Sequence, residues 1–153
     1  MALYLVQHGK SLPKDIDPEQ GLSEEGIAEV QRIAQVAKGY NIQVRQIRHS
    51  TKERARRTAS LFQAALMPPE PMQVMEGLSP LDDVKAIAAR IVAEPNLMLV
   101  GHLPFMERLA SYLVTGSKEK KVFKFQNGGI VCLDRESESE DWFIKWALMP
   151  TIK

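Results

Sequence analysis

The chain has 153 residues, the size of one compact domain, and the expectation is a single unit spanning 1–153. Hydrophobic residues make up 44% and charged residues 25%, which excludes a disordered or collagen-like chain. A net charge of +1 argues against a dedicated nucleic-acid binder, and no apolar run approaches the roughly 18 residues of a membrane span.

Leu3-Tyr4-Leu5-Val6 is a continuous apolar run, the pattern of a strand buried on both faces. It is too short, and lacks the basic leader, for a secretory signal. A polar loop follows from Gly9 to Gly21. Ser23 is a good N-cap, and Ile27, Val30, Ile33, Ala34 and Ala37 recur at helical spacing until Gly39. Ile42, Val44 and Ile47 mark a second strand. Ser50-Thr51-Lys52-Glu53 has the spacing of a capping box, which predicts a helix just after Ser50 with Ala55, Ala59, Phe62, Ala65 and Leu66 on its inner side.

The Pro68-Pro69-Glu70-Pro71 segment must be a connection. Met72–Met75 reads as a third strand. Ser79-Pro80 predicts a helix start, with Val84, Ile87, Ala88 and Ile91 inward as far as Ala93. Leu97–Val100 is a fourth apolar strand. Pro104 opens another helix and Gly116 ends it. Val122–Phe125, Ile130–Leu133 and Trp142–Leu148 read as strands, the last two joined by the acidic loop Asp134–Asp141. Trp142, Ile144, Trp146 and Leu148 alternate as if on one sheet face. Strands alternating with helices, then a strand pair, predict a three-layer α/β/α domain with a mostly parallel sheet and an antiparallel edge.

Ligands of open α/β sheets bind at the carboxyl ends of the parallel strands. Gln7-His8-Gly9-Lys10-Ser11 follows the first strand there. His49-Ser50 and Arg54 follow the second, Glu76 with Asp82 and Asp83 the third, and Gly101-His102 the fourth. All three histidines thus follow predicted strands. An arginine and helix N-termini suit a phosphate. A histidine beside a phosphoryl group can attack it, and a second can support the equatorial oxygens. His49 reads as structural or as a pocket neighbour. Cys132, in an apolar strand, reads as a core residue, and a single cysteine fits a reducing compartment, so the expected location is cytoplasmic. No His-x₃-His or Cys-x₂-Cys spacing suggests a metal site, and no cofactor is expected.

Four motifs in order give a family resemblance. They are Gln7-His8-Gly9, Leu22-Ser23-Glu24-Glu25-Gly26, Ser50-Thr51-Lys52-Glu53-Arg54-Ala55-Arg56-Arg57-Thr58-Ala59 and Gly101-His102. With the ending Asn127-Gly128-Gly129-Ile130 through Trp146 to Pro150, the chain resembles the histidine phosphatase superfamily (phosphoglycerate-mutase-like), and in it the small SixA-like phosphohistidine phosphatase branch. The resemblance implies a phosphatase with His8 as nucleophile, Arg54 clamping the phosphoryl group and His102 supporting it. Gln7 and Ser11 would contact substrate. The expected substrate is a phosphohistidine-bearing protein, with a small phosphate ester as the alternative and a metal-independent mechanism in both cases.

Two positions depart from the family pattern. Gln7 stands where the family has arginine. A charge-assisted hydrogen bond is worth about 1.5–3 kcal/mol, so its loss would cost on the order of 10- to 100-fold in rate if felt only in the transition state. A phosphoprotein-binding module with weakened catalysis is therefore the rival reading. Lys10 or Arg56 is the candidate to supply the missing charge. The second departure is the acid: the chain has no room for the insertion that carries a glutamate in larger members, leaving Glu76, Asp82 and Asp83 as candidate acids. The sequence leaves the oligomeric state open.

Overall fold

The computed structural model describes residues 1–152. Its six strands are β1 (Leu3–Gln7), β2 (Gln46–His49), β3 (Gln73–Val74), β4 (Leu97–Gly101), β5 (Ile130–Asp134) and β6 (Phe143–Leu148). Its helices are α1 (Glu24–Gly39), α2 (Glu53–Leu66), α3 (Val84–Ile91) and α4 (Phe105–Thr115). One sheet has the order β3-β2-β4-β1-β5-β6. The first four strands of that order are parallel, and β5 and β6 run antiparallel at one edge.

The layering follows from strand alternation. Tyr4, Val6, Met98, Val100, Ile130 and Cys132 point to one face, where they meet Val30, Ile33 and Ala37 of α1 and Ala55, Ala59 and Phe62 of α2. Leu3, Leu5, Leu97, Leu99, Val131 and Leu133 point to the other, against Val84, Ile87 and Ile91 of α3 and Phe105, Met106 and Leu109 of α4. Strands β1 and β4 lie in the middle with both faces covered, which is why they read as unbroken apolar runs. Phe62 and Phe105 are fully buried, one in each layer. Each such side chain stabilises the fold by roughly 1.5–3 kcal/mol.

Several local expectations are corrected. The second strand begins at Gln46, after Ile42 and Val44, and β3 is only two residues long. Val122–Phe125 forms no strand; Phe125 instead turns inward, and its N–H donates to Glu107 of α4 at 3.1 Å. Ser79-Pro80 forms a turn in which Asp82 Oδ2 accepts from the Ser79 N–H, and α3 starts only at Val84, capped by Asp83. Finally, β6 does not keep one face. The register passes from Cys132↔Trp146 to Leu133↔Ile144, leaving Lys145 as an extra residue. This bulge sends Trp146 and Leu148 to the α1/α2 layer and Trp142 and Ile144 to the α3/α4 layer.

Candidate active site

The sheet order puts the carboxyl ends of β1 and β4 side by side, with Gln7 opposite Gly101. The next residue on each strand is a histidine. His8 and His102 face each other with ring centroids 5.0 Å apart and planes inclined by 56°.

The backbone under His8 is held on four sides. Its N–H donates to Gly101 O at 2.9 Å. Asn127 Nδ2 donates to His8 O at 3.0 Å, and Gly128 N, at φ +80°, donates to Gln7 O at 2.8 Å and to His8 O at 3.2 Å. Gly9 N donates to Thr58 Oγ1 at 2.9 Å, while the Thr58 hydroxyl donates to Arg54 O. One threonine therefore ties the turn after β1 to the first turns of α2. The loop beyond is fastened to α1: Ser23 N and Ser23 Oγ both donate to Lys10 O, and Ser23 Oγ accepts from Gly26 N. A Cβ on Gly26 would sit 2.2 Å from Lys10 O, so only glycine lets α1 lie against this backbone. The Leu22-Ser23-x-x-Gly26 motif is thus a loop anchor.

The His8 ring is set by its neighbour. Nδ1 lies 2.7 Å from Gly9 O, a carbonyl that can only accept, so Nδ1 carries the proton and Nε2 keeps its lone pair. Burial pushes the pKa of His8 below 6.5; the Gly9 bond opposes this and the Arg54 charge adds to it. The ring is therefore neutral at pH 7.

His102 is more enclosed, 2% exposed. Its pKa falls to about 3, first through burial and then through His8, Arg54 and Lys52. Ser50 Oγ stands 2.6 Å from His102 Nε2. The same oxygen accepts from Lys52 N at 3.3 Å, and Nε2 is the one acceptor bonded to it, so the hydroxyl hydrogen goes to Nε2 and the ring proton to Nδ1. Nδ1 is buried and has no partner. The predicted capping box is accordingly absent: Lys52 occupies the N-cap of α2 without a side-chain bond, Glu53 pairs with Arg56, and Ser50 serves a histidine. Serine is a common helix cap and an equally good imidazole partner, so the sequence alone could not separate the two roles.

Arg54, half-buried in the first turn of α2, acts electrostatically on both histidines and forms no ion pair among the described residues. Gln7 is 9% exposed, and its Oε1 is buried without a partner. Ser11 bridges to Leu22 in the loop and is not bonded to either histidine. Lys10 is held by Glu25 at 2.7 Å and Glu29 at 3.7 Å, and Arg56 is held by Glu53, so neither is a free charge to replace the arginine absent at position 7. His49 bonds through Nδ1 to Ser50 O at 2.8 Å.

The three candidate acids separate. Asp83 is the α3 cap. Glu76 and Asp82 line a cleft of about 230 Å³ that Ser50 and Thr51 share. A second cleft, of about 440 Å³, opens beside Arg54 between Lys52 and the loop residues Lys14, Glu19 and Gln20. Among the described residues no three His, Cys, Asp or Glu side chains are grouped to hold a metal ion. Thr58, Ser50, Asn127 and Gly128 are the positioning residues that composition and periodicity did not assign. All four lie inside the quoted motifs, and the motif positions were the one signal available.

The sheet order and the pair of strand-end histidines define a phosphoglycerate-mutase-like α/β fold. A model of the histidine phosphatase superfamily, branch 1, matches residues 3–82, and the chain belongs to that superfamily. An uncharacterised protein of Picosynechococcus sp. strain PCC 7002 is 32% identical over 124 residues, 76% of this chain and 74% of that one. Among solved structures, the protein histidine phosphatase SixA complexed with tungstate superposes with a TM-score of 0.86 at 24% identity, covering 98% of this chain and 97% of the other. A protein of Agrobacterium tumefaciens assigned as a phosphohistidine phosphatase SixA gives 0.77 at 25% identity, with 97% of each chain covered. An Escherichia coli protein assigned as an α-ribazole-5′-P phosphatase gives 0.77 at 18% identity, covering 100% and 99%, a likeness of fold alone.

Proposed function

We propose that residues 1–153 work as one domain that hydrolyses protein phosphohistidine through a phosphorylated His8, without a metal. The observation that carries this is the bond between His8 Nδ1 and Gly9 O, which leaves Nε2 unprotonated beside His102 and Arg54.

In the first step the Nε2 lone pair attacks phosphorus. The bond from phosphorus to the substrate imidazole breaks, its electrons pass to the leaving nitrogen, and that nitrogen takes up a proton. Arg54, the Nδ1 proton of His102 and the Gln7 amide hold the equatorial oxygens, with Ser11 at the pocket margin. In the second step water attacks the phosphorus of phospho-His8, the P–Nε2 bond breaks, and inorganic phosphate leaves. Glu76, on the cleft wall beside Ser50, is the proposed acid, and Asp82 shares that wall. A nitrogen leaving group is readily protonated, so this acid matters less for phosphohistidine than for an ester. The likeness to the SixA structures supports the same substrate. No helix among the described residues is long and apolar enough to cross a membrane, and the proposed setting is the cytoplasm.

The test is phosphate release, without metal, from a phosphohistidine-bearing protein and from an aryl phosphate, by wild type and by His8→Ala. Turnover of the phosphoprotein that His8→Ala abolishes is the expected result. Turnover confined to the aryl phosphate overturns the substrate, and turnover that survives His8→Ala overturns the nucleophile.

A further inference from the structure

Two buried polar atoms at the ends of β1 and β4 have no partner: His102 Nδ1 and Gln7 Oε1. They belong to consecutive positions of the two strands, since Gln7 pairs with Gly101, the residue before His102. A buried polar atom without a partner loses its water and gains nothing in return, and such a pair at a strand-end site calls for a ligand that completes it.

The two atoms ask for opposite things. His102 Nδ1 carries a proton and needs an acceptor, which any phosphoryl oxygen supplies. Gln7 Oε1 is an acceptor and needs a donor, which a fully ionised phosphoryl group lacks. Among the charged groups of the site, His8 and His102 are kept neutral near pH 7 by burial, while Arg54 is half-buried and Lys14 and Lys52 line the cleft beside it. Of the other titratable groups near the strand ends, His49 is bonded to Ser50 O, and Glu76 and Asp82 line the cleft that Ser50 shares.

We infer that Gln7 selects phosphoryl groups in the singly charged state, with the P–OH donating to Gln7 Oε1 while the ionised oxygens face Arg54 and His102. This deepens the phosphatase reading and rests on it: the preferred substrates are those whose phosphoryl group carries a proton at the working pH.

Inorganic phosphate and sulfate test this directly. They have similar shape, but near pH 6 phosphate retains a hydrogen to donate and sulfate does not. Calorimetric titration of the full chain at fixed ionic strength should show phosphate binding at least about tenfold more tightly than sulfate at pH 6, a difference of about 1.4 kcal/mol. At pH 8 that preference should shrink as the phosphate dianion takes over. A change in His8 protonation alters both anions alike and leaves their ratio untouched. Gln7→Met, which removes the acceptor at similar volume, should bring the ratio to about one. Gln7→Arg, which offers only donors, should favour sulfate over the wild-type level and keeps the test open if the methionine variant misfolds.

Equal binding of the two anions by wild type overturns the inference; it is the result expected if the amide instead presents its NH₂ to the ligand. A preference that survives in both variants overturns it too, and so does failure of either anion to bind. The phosphatase reading is judged separately, by His8-dependent turnover.

Discussion

The ends of β1 and β4 each present a histidine, yet the two are built differently. His8 bonds to the carbonyl of its own neighbour and is half-buried. His102 bonds to a serine on another strand end and is almost fully enclosed. The first arrangement fixes a tautomer and leaves a lone pair open to the pocket. The second suppresses protonation, to a pKa of about 3, and leaves an N–H to donate. One residue type thus yields a nucleophile or a neutral donor, according to what touches its ring and how far water is excluded.

The largest test of that contrast replaces each ring in turn. His8→Ala should abolish turnover, while His102→Ala should leave a residual rate about 10²–10³-fold below wild type, the usual cost of a transition-state donor. Equal losses in steady-state release assays would erase the distinction. The pH profile sharpens it. Protonated His8 cannot attack, so kcat/KM should be level at neutral pH and fall only as pH drops through a value below 6.5. His102 stays neutral across that range, so a single inflection is expected.

The same burial should appear in stability. His102 has its folded pKa depressed, so the unfolded chain binds the extra proton below about pH 6.5. Stability from this group is present above that pH and is lost as pH falls toward 3, at no more than about 1.4 kcal/mol per pH unit. Denaturant melts of wild type and His102→Gln should differ in this acid slope. A smaller effect is expected of Ser50→Ala, which removes one hydrogen bond: about tenfold in kcat, with KM for substrate little changed. The smallest is the double change Lys10→Ala and Arg56→Ala. Both groups sit in surface ion pairs, so phosphate affinity should move by less than about twofold.

The central fold was legible because β1 and β4 are covered on both faces. Burial on two sides leaves an apolar run that admits little else. The rims were harder. At Val122–Phe125 the apolar residues fill the space beside α4 without joining the sheet, and composition does not tell ladder from filler. In the candidate site, His8, Arg54 and His102 were visible through motif order, and the structure brings all three into one electrostatic environment. Ser50 was visible as a residue but not as a partner of His102, because that bond joins positions 52 residues apart. Ser11 is expected to face substrate through its hydroxyl, and the bridge to Leu22 engages only its backbone. The acids were ambiguous because Asp82 and Asp83 have turn and cap duties that any helix start would give them.

The extra residue at Lys145 gives the last strand an unusual duty. Trp146 within it and Trp142 just before it reach opposite sides of the sheet, Trp146 against Tyr4 and Trp142 under the guanidinium of Arg135. A strand of strict alternation would serve one layer only. Here the stretch from Trp142 to Leu148 rivets both, so deleting Lys145 would act like a half-turn in a ribbon: whichever end kept its pairing, the other would present its tryptophan to the wrong side.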